Sequence, residues 1–134
     1  MAGVGVAGWD GGTDLFLDVA RRLSGDPQLR FRWVGRRSSG AARWLDADAA
    51  LIGLSEQISW SDSDRAEPDA AVAIVPARTV DARDAANAQL DGSVPVVAFE
   101  LRGADRARAT DLVEFPDTAA LAARVRSLLD EGRR

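Results

Sequence analysis

The sequence of 134 residues contains no cysteine, histidine, tyrosine or lysine, and all 17 of its basic residues are arginines. These absences exclude a disulfide, a Cys/His metal site, a cysteine nucleophile, a histidine general base and a Schiff-base lysine. The catalytic groups that remain are carboxylates, hydroxyls, guanidinium groups and backbone amides. From the sequence we assign no catalytic residue, no metal ligand and no cofactor.

Charge and hydropathy exclude further classes of protein. The net charge is −4, and arginines are interspersed with aspartates instead of forming the basic clusters of a nucleic-acid-binding protein. No apolar stretch approaches the roughly 20 residues of a membrane span, and no signal-peptide pattern is present. We therefore expect one cytoplasmic domain over residues 1–134, with neither a nucleic-acid partner nor a membrane span.

Short apolar runs bounded by turn residues alternate with segments of helical periodicity. The predicted strands are 4–7, 29–34, 58–60, 72–75, 94–99 and 112–115. The predicted helices are 13–23, 41–51, 64–70, 81–90 and 117–132, the first capped by Thr13 and the last by Asp117 or Thr118. Such alternation predicts an α/β fold: a Rossmann-like, doubly wound, mostly parallel sheet of about six strands with helices on both faces.

In such a sheet, ligands bind beyond the carboxyl ends of the strands, near the point where strand order reverses. Gly11, Gly12 and Thr13 precede the first helix, where free backbone amides could bind an anion. An ordinary strand-to-helix turn is the competing interpretation of these three residues.

Two arginine-containing loops follow other predicted strands. Arg36 and its neighbour Arg37 could form a polar anion pocket, or could belong to a solvated loop. Arg78 could contact a ligand, or could form a surface ion pair with Asp81 or Asp84. The acidic residues of 62–69 lack the spacing of a calcium loop and are interpreted as solvated.

Among the four tryptophans, Trp33 and Trp60 follow strand patterns and are expected in the core. Trp44 lies on a predicted helix. Trp9 lies in the loop after the first strand, on the side where ligands bind, and is the tryptophan to suspect of stacking on a sugar or a base.

Several segments, in order, resemble the C-terminal domain of retaining glycosyltransferases of the GT-B fold, family 4 ("group 1"). Residues 8–20 (GWDGGTDLFLDVA) resemble the opening W-x-K-G-x-D-L-F-x-x-V-A, and 33–35 (WVG) the strand end that follows it. Residues 76–78 (PAR) are similar to P-S-R, and 87–98 (NAQLDGSVPVVA) to E-A-M-A-x-G-x-P-V-V-A. Residues 115–129 resemble the family's closing helix, so the match covers nearly the whole chain.

The resemblance implies a domain that binds a nucleotide diphosphate-sugar donor, with Arg78 as a donor contact. Gly11 stands where the family has a phosphate-binding lysine, and Asn87 where it has the second glutamate of E-x7-E. The first glutamate falls near Val80. Asn87 could still hydrogen-bond a ribose hydroxyl, without charge. The loop pattern and the resemblance together give substrate-binding candidates at Gly11, Gly12, Thr13, Arg36, Arg78 and Asn87.

Catalysis in the GT-B fold takes place between two domains, and this sequence resembles only one of them. We expect no sugar transfer by this chain alone, and a missing N-terminal acceptor-binding domain or a partner chain. An alternative is a degenerate, non-catalytic domain for protein association, such as a homodimer. A second alternative is a receiver-like signalling domain, which the absence of lysine disfavours.

Overall fold

A computed structural model describes residues 1–5, 7–37, 39–61, 70–90, 94–102 and 111–132. The strands are β1 Ala2–Val4, β2 Phe31–Val34, β3 Ile58–Ser61, β4 Ala73–Val75, β5 Val96–Glu100 and β6 Asp111–Glu114. The helices are α1 Thr13–Leu23, α2 Ser39–Leu51, α3 Val80–Asn87 and α4 Thr118–Gly132. Strands and helices thus alternate along the chain as the sequence predicts.

All six strands form one parallel sheet in the order β3-β2-β1-β4-β5-β6. The direction of winding reverses between β1 and β4, which makes this pair the switch point of a Rossmann-like sheet. The predicted fold class is confirmed. A receiver has the strand order 2-1-3-4-5, so the topology rules out the receiver-like alternative.

The first strand lies earlier than predicted. Residues 4–7 were expected, but β1 ends at Val4 because Gly5 has φ 145°, outside the extended region of ordinary strands. Val6 lies outside the described residues. So does most of the predicted helix 64–70, of which Ala70 is described and is not helical, and so does the acidic segment 62–69.

Helices cover both faces of the sheet, as predicted. The larger apolar cluster joins α1, α2 and α4 to one face and includes Phe16, Leu45 and Leu121. A smaller cluster lies on the other face, where Ala86 of α3 packs with alternate strand residues such as Val75. Because neighbouring residues of a strand point to opposite faces, the central strands β4 and β5 contribute to both clusters.

The larger cluster is built around an aromatic pair over a glycine. Phe16 of α1 and Trp33 of β2 meet edge to face, with ring centroids 5.3 Å apart. Both rings are fully buried above Gly3 of β1, where an added Cβ would lie 2.6 Å from each. Trp33 is confirmed as a core residue, whereas Trp60 is only half-buried at the edge strand.

Replacing Gly3 by alanine is expected to destabilise the protein by about 1–3 kcal/mol, because the aromatic pair must shift to admit the methyl group. Gly40→Ala is the matched control. Gly40 lies in α2 with open space at its Cβ position, so alanine there should stabilise by roughly 0.5–1 kcal/mol. Urea unfolding of both variants measures the difference. Equal effects at the two positions would contradict this account of the core.

Helices α1 and α4 are joined by Asp18. Its carboxylate accepts hydrogen bonds from the Thr118 hydroxyl at 2.5 Å, from Arg21 at 2.7 Å and from Arg22 at 3.1 Å. Partial burial raises the pKa of Asp18, but these three donors outweigh it and lower that pKa from 3.8 to about 2. The ionised form of Asp18 therefore stabilises the packing of α1 on α4.

The folded-state pKa of Asp18 lies below its unfolded value, so its contribution is present above about pH 4 and is lost as the pH falls towards 2. Solvent screening of this carboxylate, 31% exposed, limits the contribution to about 1 kcal/mol. Asp18→Asn should be less stable than the wild type at pH 7 by that amount, and the difference should vanish near pH 2. Thr118→Val should raise the pKa of Asp18. Urea unfolding at pH 7, 4 and 2 provides the measurement, and a difference independent of pH would refute the assignment.

Candidate functional site

The loops after β1 and β4 meet at the switch point. Gly12, with φ 76°, approaches Pro76 so closely that an added Cβ would lie 1.8 Å from the Pro76 carbonyl oxygen. The amide of Gly12 donates to the carbonyls of Gly8 and Trp9, both at 3.1 Å. Two backbone segments are thus in direct contact at the place where a Rossmann-like sheet usually has its crevice.

The turn before α1 is closed by its own hydrogen bonds. The Thr13 amide donates to the Gly8 carbonyl at 3.2 Å, and the Thr13 hydroxyl accepts from the Gly8 amide at 2.9 Å. Thr13 was predicted as the N-cap, but it is the first helical residue. Gly12 occupies the N-cap position because only a glycine adopts its left-handed conformation without strain. Gly11 is buried in the same turn. The amides of Gly12 and Thr13, predicted to bind an anion, thus donate within the loop.

Arg78 links the two loops. Its guanidinium forms a bidentate ion pair with Asp14 of α1, at 2.6 and 2.7 Å, and donates to the Trp9 carbonyl at 2.9 Å. The Arg78 amide donates to the Asp10 carbonyl at 2.8 Å. Arg78 does form an ion pair, as the alternative interpretation predicted, but its partner is not one of the predicted residues. The carboxylate comes from Asp14, 64 residues away, and not from Asp81 or Asp84 on α3.

The guanidinium of Arg78 also lies 3.4 Å from the centroid of the Trp9 ring. Trp9 remains 68% exposed, whereas the Arg78 side chain is only 13% exposed. The positive charge of Arg78 is balanced by Asp14, which also lies in the first turn of α1, where a carboxylate offsets the positive end of the helix. The centre of the switch point is therefore a neutral, ion-paired cluster beside an exposed indole.

The arginines after β2 contact other elements. Arg36 is exposed, and its carbonyl accepts from the Ala7 amide at 3.1 Å. Arg37 lies 4.8 Å from the Trp60 ring and 3.7 Å from an Asp46 carboxylate oxygen, so its contacts are with β3 and α2.

Helix α3 carries two buried polar residues on its inner side. Asn87, predicted as a ribose ligand, is 8% exposed, so little of its surface is open to a ligand. Arg83, one turn earlier, is 1% exposed and donates to the Phe99 carbonyl at the end of β5, at 2.8 Å. Sequence reasoning missed Arg83. The signal was its spacing from Ala86 and Leu90, which places it on the apolar side of the helix.

A small cavity of about 240 Å³ lies between α1 and α2 and is lined in part by Asp14. A cavity of about 420 Å³ lies at the opposite edge of the sheet, between residues such as Arg30, Arg32 and Leu129. Within the described ranges, no group of three or more acidic side chains is arranged to hold a metal ion. No helix in that part of the chain is long and apolar enough to cross a membrane.

Solved glycosyltransferase structures share this fold, although no protein-family model and no curated protein matches the sequence. Anabaena Alr3699/HepE in complex with UDP aligns with a TM-score of 0.71 and 13% identity, over 98% of this chain and 39% of that one. WaaG, a glycosyltransferase involved in lipopolysaccharide biosynthesis, aligns with a TM-score of 0.68 and 16% identity, over 96% of this chain and 37% of that one. A glycosyltransferase from Rickettsia africae aligns with a TM-score of 0.66 and 16% identity, over 96% of this chain and 37% of that one.

At these identities the comparison shows the fold alone, and at that level the predicted resemblance to GT-B glycosyltransferases is confirmed. The chain spans less than two-fifths of the length of each of these three structures. That share fits one domain of a two-domain enzyme, as the resemblance to a C-terminal half predicts.

Asp14→Asn is expected to destabilise the protein by about 1–3 kcal/mol, because it leaves the largely buried Arg78 guanidinium without its carboxylate. Asp84→Asn is the control. Asp84 is exposed on α3, and its loss should change the free energy of unfolding by less than about 0.5 kcal/mol. Thermal or urea unfolding separates the two. If Asp84→Asn were the more damaging change, the ion pair would be with α3 and this description of the site would be wrong.

Proposed function

We propose that this chain is the nucleotide-sugar-binding half of a GT-B-like glycosyltransferase. The nucleotide of the donor would lie beyond the carboxyl ends of β1 and β4. The observation that carries the proposal is the fold shared over 98% of the chain with a structure solved in complex with UDP. The single-domain organisation and the cytoplasmic location predicted from the sequence belong to the same proposal.

The switch point supports this location. Open parallel sheets bind ligands beyond the carboxyl ends of their strands near the switch point, and Trp9 and Arg78 lie there. Exposed Arg36 follows β2 at the same edge and supplies a cation for the diphosphate. In this proposal Arg78 is a positioning residue, because both of its terminal guanidinium nitrogens already donate to Asp14.

Sugar transfer needs the second half of the cleft. The donor half supplies the nucleotide site, and the acceptor-binding half would come from another part of a longer protein or from a partner chain. Asn87, 8% exposed, is the candidate for a ribose hydroxyl. No catalytic residue is assigned to this chain.

Calorimetric titration with UDP, GDP and ADP, with and without Mg²⁺, tests the proposal. We expect one of the three to bind in the micromolar range. Arg36→Ala should weaken it by roughly 10-fold, the loss typical of one charge-assisted contact. Arg43→Ala is the matched control, because Arg43 is an equally exposed arginine on the outer side of α2 and should leave the affinity unchanged.

A protein-association domain is the second candidate. Helix α2 exposes Trp44 (39%) and Leu51 (84%), seven residues apart and hence on one side of the helix. If no nucleotide gives heat at millimolar concentration and sedimentation shows a dimer, association replaces nucleotide binding as the function. If the protein is a monomer and binds a nucleotide, the result supports the proposed nucleotide-sugar-binding function over association.

A further inference from the structure

Trp9 is the most exposed of the large apolar side chains in the loops of the carboxyl edge, and it is also held in place. Its ring is 68% exposed. The Arg78 guanidinium lies 3.4 Å from the ring centroid, and Arg78 also donates to the Trp9 carbonyl. A single exposed apolar residue is ordinary, but a long apolar side chain at a loop surface is usually free to change rotamer. Here one face of the indole is fixed and the other is in solvent.

The support behind the indole is a chain of contacts that begins in α1. The carboxylate of Asp14 accepts hydrogen bonds from both terminal nitrogens of Arg78. The Arg78 amide donates to the carbonyl of Asp10, which lies in the same loop as Trp9. Gly12 also lies against Pro76, so the two loops pack closely together behind the indole. The open face of Trp9 is thus pre-organised, which lowers the entropy cost of binding a ligand on it.

The charge around Trp9 narrows the chemistry of that ligand. Asp14 neutralises Arg78, so the cluster offers a flat aromatic face with no uncompensated cation to attract a phosphate. A planar π system is the group that such a face binds best, and every nucleobase has one. Asp10, exposed beside Trp9, can accept from a sugar hydroxyl or an exocyclic amine.

We propose that the open face of Trp9 is a stacking subsite for the base of a nucleotide, with Arg78 and Asp14 as positioning residues behind it. This inference rests on the proposed function, because it names the part of the donor that the switch point recognises. Stacking alone discriminates little between bases, so the subsite accepts uracil and adenine alike, and any preference arises elsewhere.

The test compares ligands with and without a base. Calorimetry with UDP, uridine and inorganic pyrophosphate is performed on the wild type, Trp9→Ala, Trp9→Phe and the control Trp44→Ala, whose indole lies on α2. Trp9→Ala should weaken UDP and uridine by about 10-fold or more and leave pyrophosphate unchanged, and Trp9→Phe should restore most of the loss. Trp44→Ala should leave the affinity for each of the three ligands unchanged. Circular dichroism confirms that each variant is folded.

A second readout follows the indole itself. Uridine should quench the tryptophan fluorescence of the wild type and fail to quench that of Trp9→Phe, because stacking places the base on the ring that has been removed. UDP bound equally well by the wild type and Trp9→Ala would overturn the stacking subsite and leave the proposed function intact. Uridine bound through Trp9, with no gain from the diphosphate, would support the subsite and overturn the donor assignment. No binding of any ligand would overturn both.

Discussion

The contact between the loops after β1 and β4 is the constraint on which the candidate site depends. Gly12 is pressed against the Pro76 carbonyl, and the ion pair of Asp14 with Arg78 crosses the same gap. A side chain at position 12 would collide with backbone, which cannot give way as a flexible side chain can. Separating the two loops would break this ion pair and the hydrogen bond from the Arg78 amide to the Asp10 carbonyl, so these contacts hold Trp9 and Arg78 in place at the switch point.

The sequence predicted the parts of this arrangement that are local. Alternation of apolar runs with helical segments is a property of neighbouring residues, and it led to the order of strands and helices and to a parallel sheet. The pairing of Arg78 is not local. Asp81 and Asp84 are near Arg78 along the chain, whereas Asp14 becomes its neighbour only because β1 and β4 are adjacent in the sheet. Without the strand order, sequence reasoning had no basis for choosing the distant carboxylate.

Burial of polar residues escaped prediction for a related reason. Arg83 and Asn87 lie one turn apart on α3, and nothing in their residue types indicates that the helix turns them inward. The burial of Arg83 becomes understandable once the Phe99 carbonyl, near the end of β5, is seen as its acceptor. A buried guanidinium is tolerated where it has such a partner. The carbonyl of Phe99 supplies an acceptor that is invisible in the sequence.

A neutral switch point changes how a diphosphate could be bound. Where a site offers a free arginine and unpaired helix amides, electrostatic attraction to these groups provides most of the affinity for the phosphates. Here the amides of Gly12 and Thr13 donate within the loop, and Arg78 is balanced by Asp14. Binding a phosphate in this cluster would mean breaking an ion pair that also holds the two loops together. In the proposed function, the charge for a diphosphate would therefore come from outside the cluster, from arginines such as Arg36 or from a second domain, and the cluster itself would hold the uncharged part of the ligand.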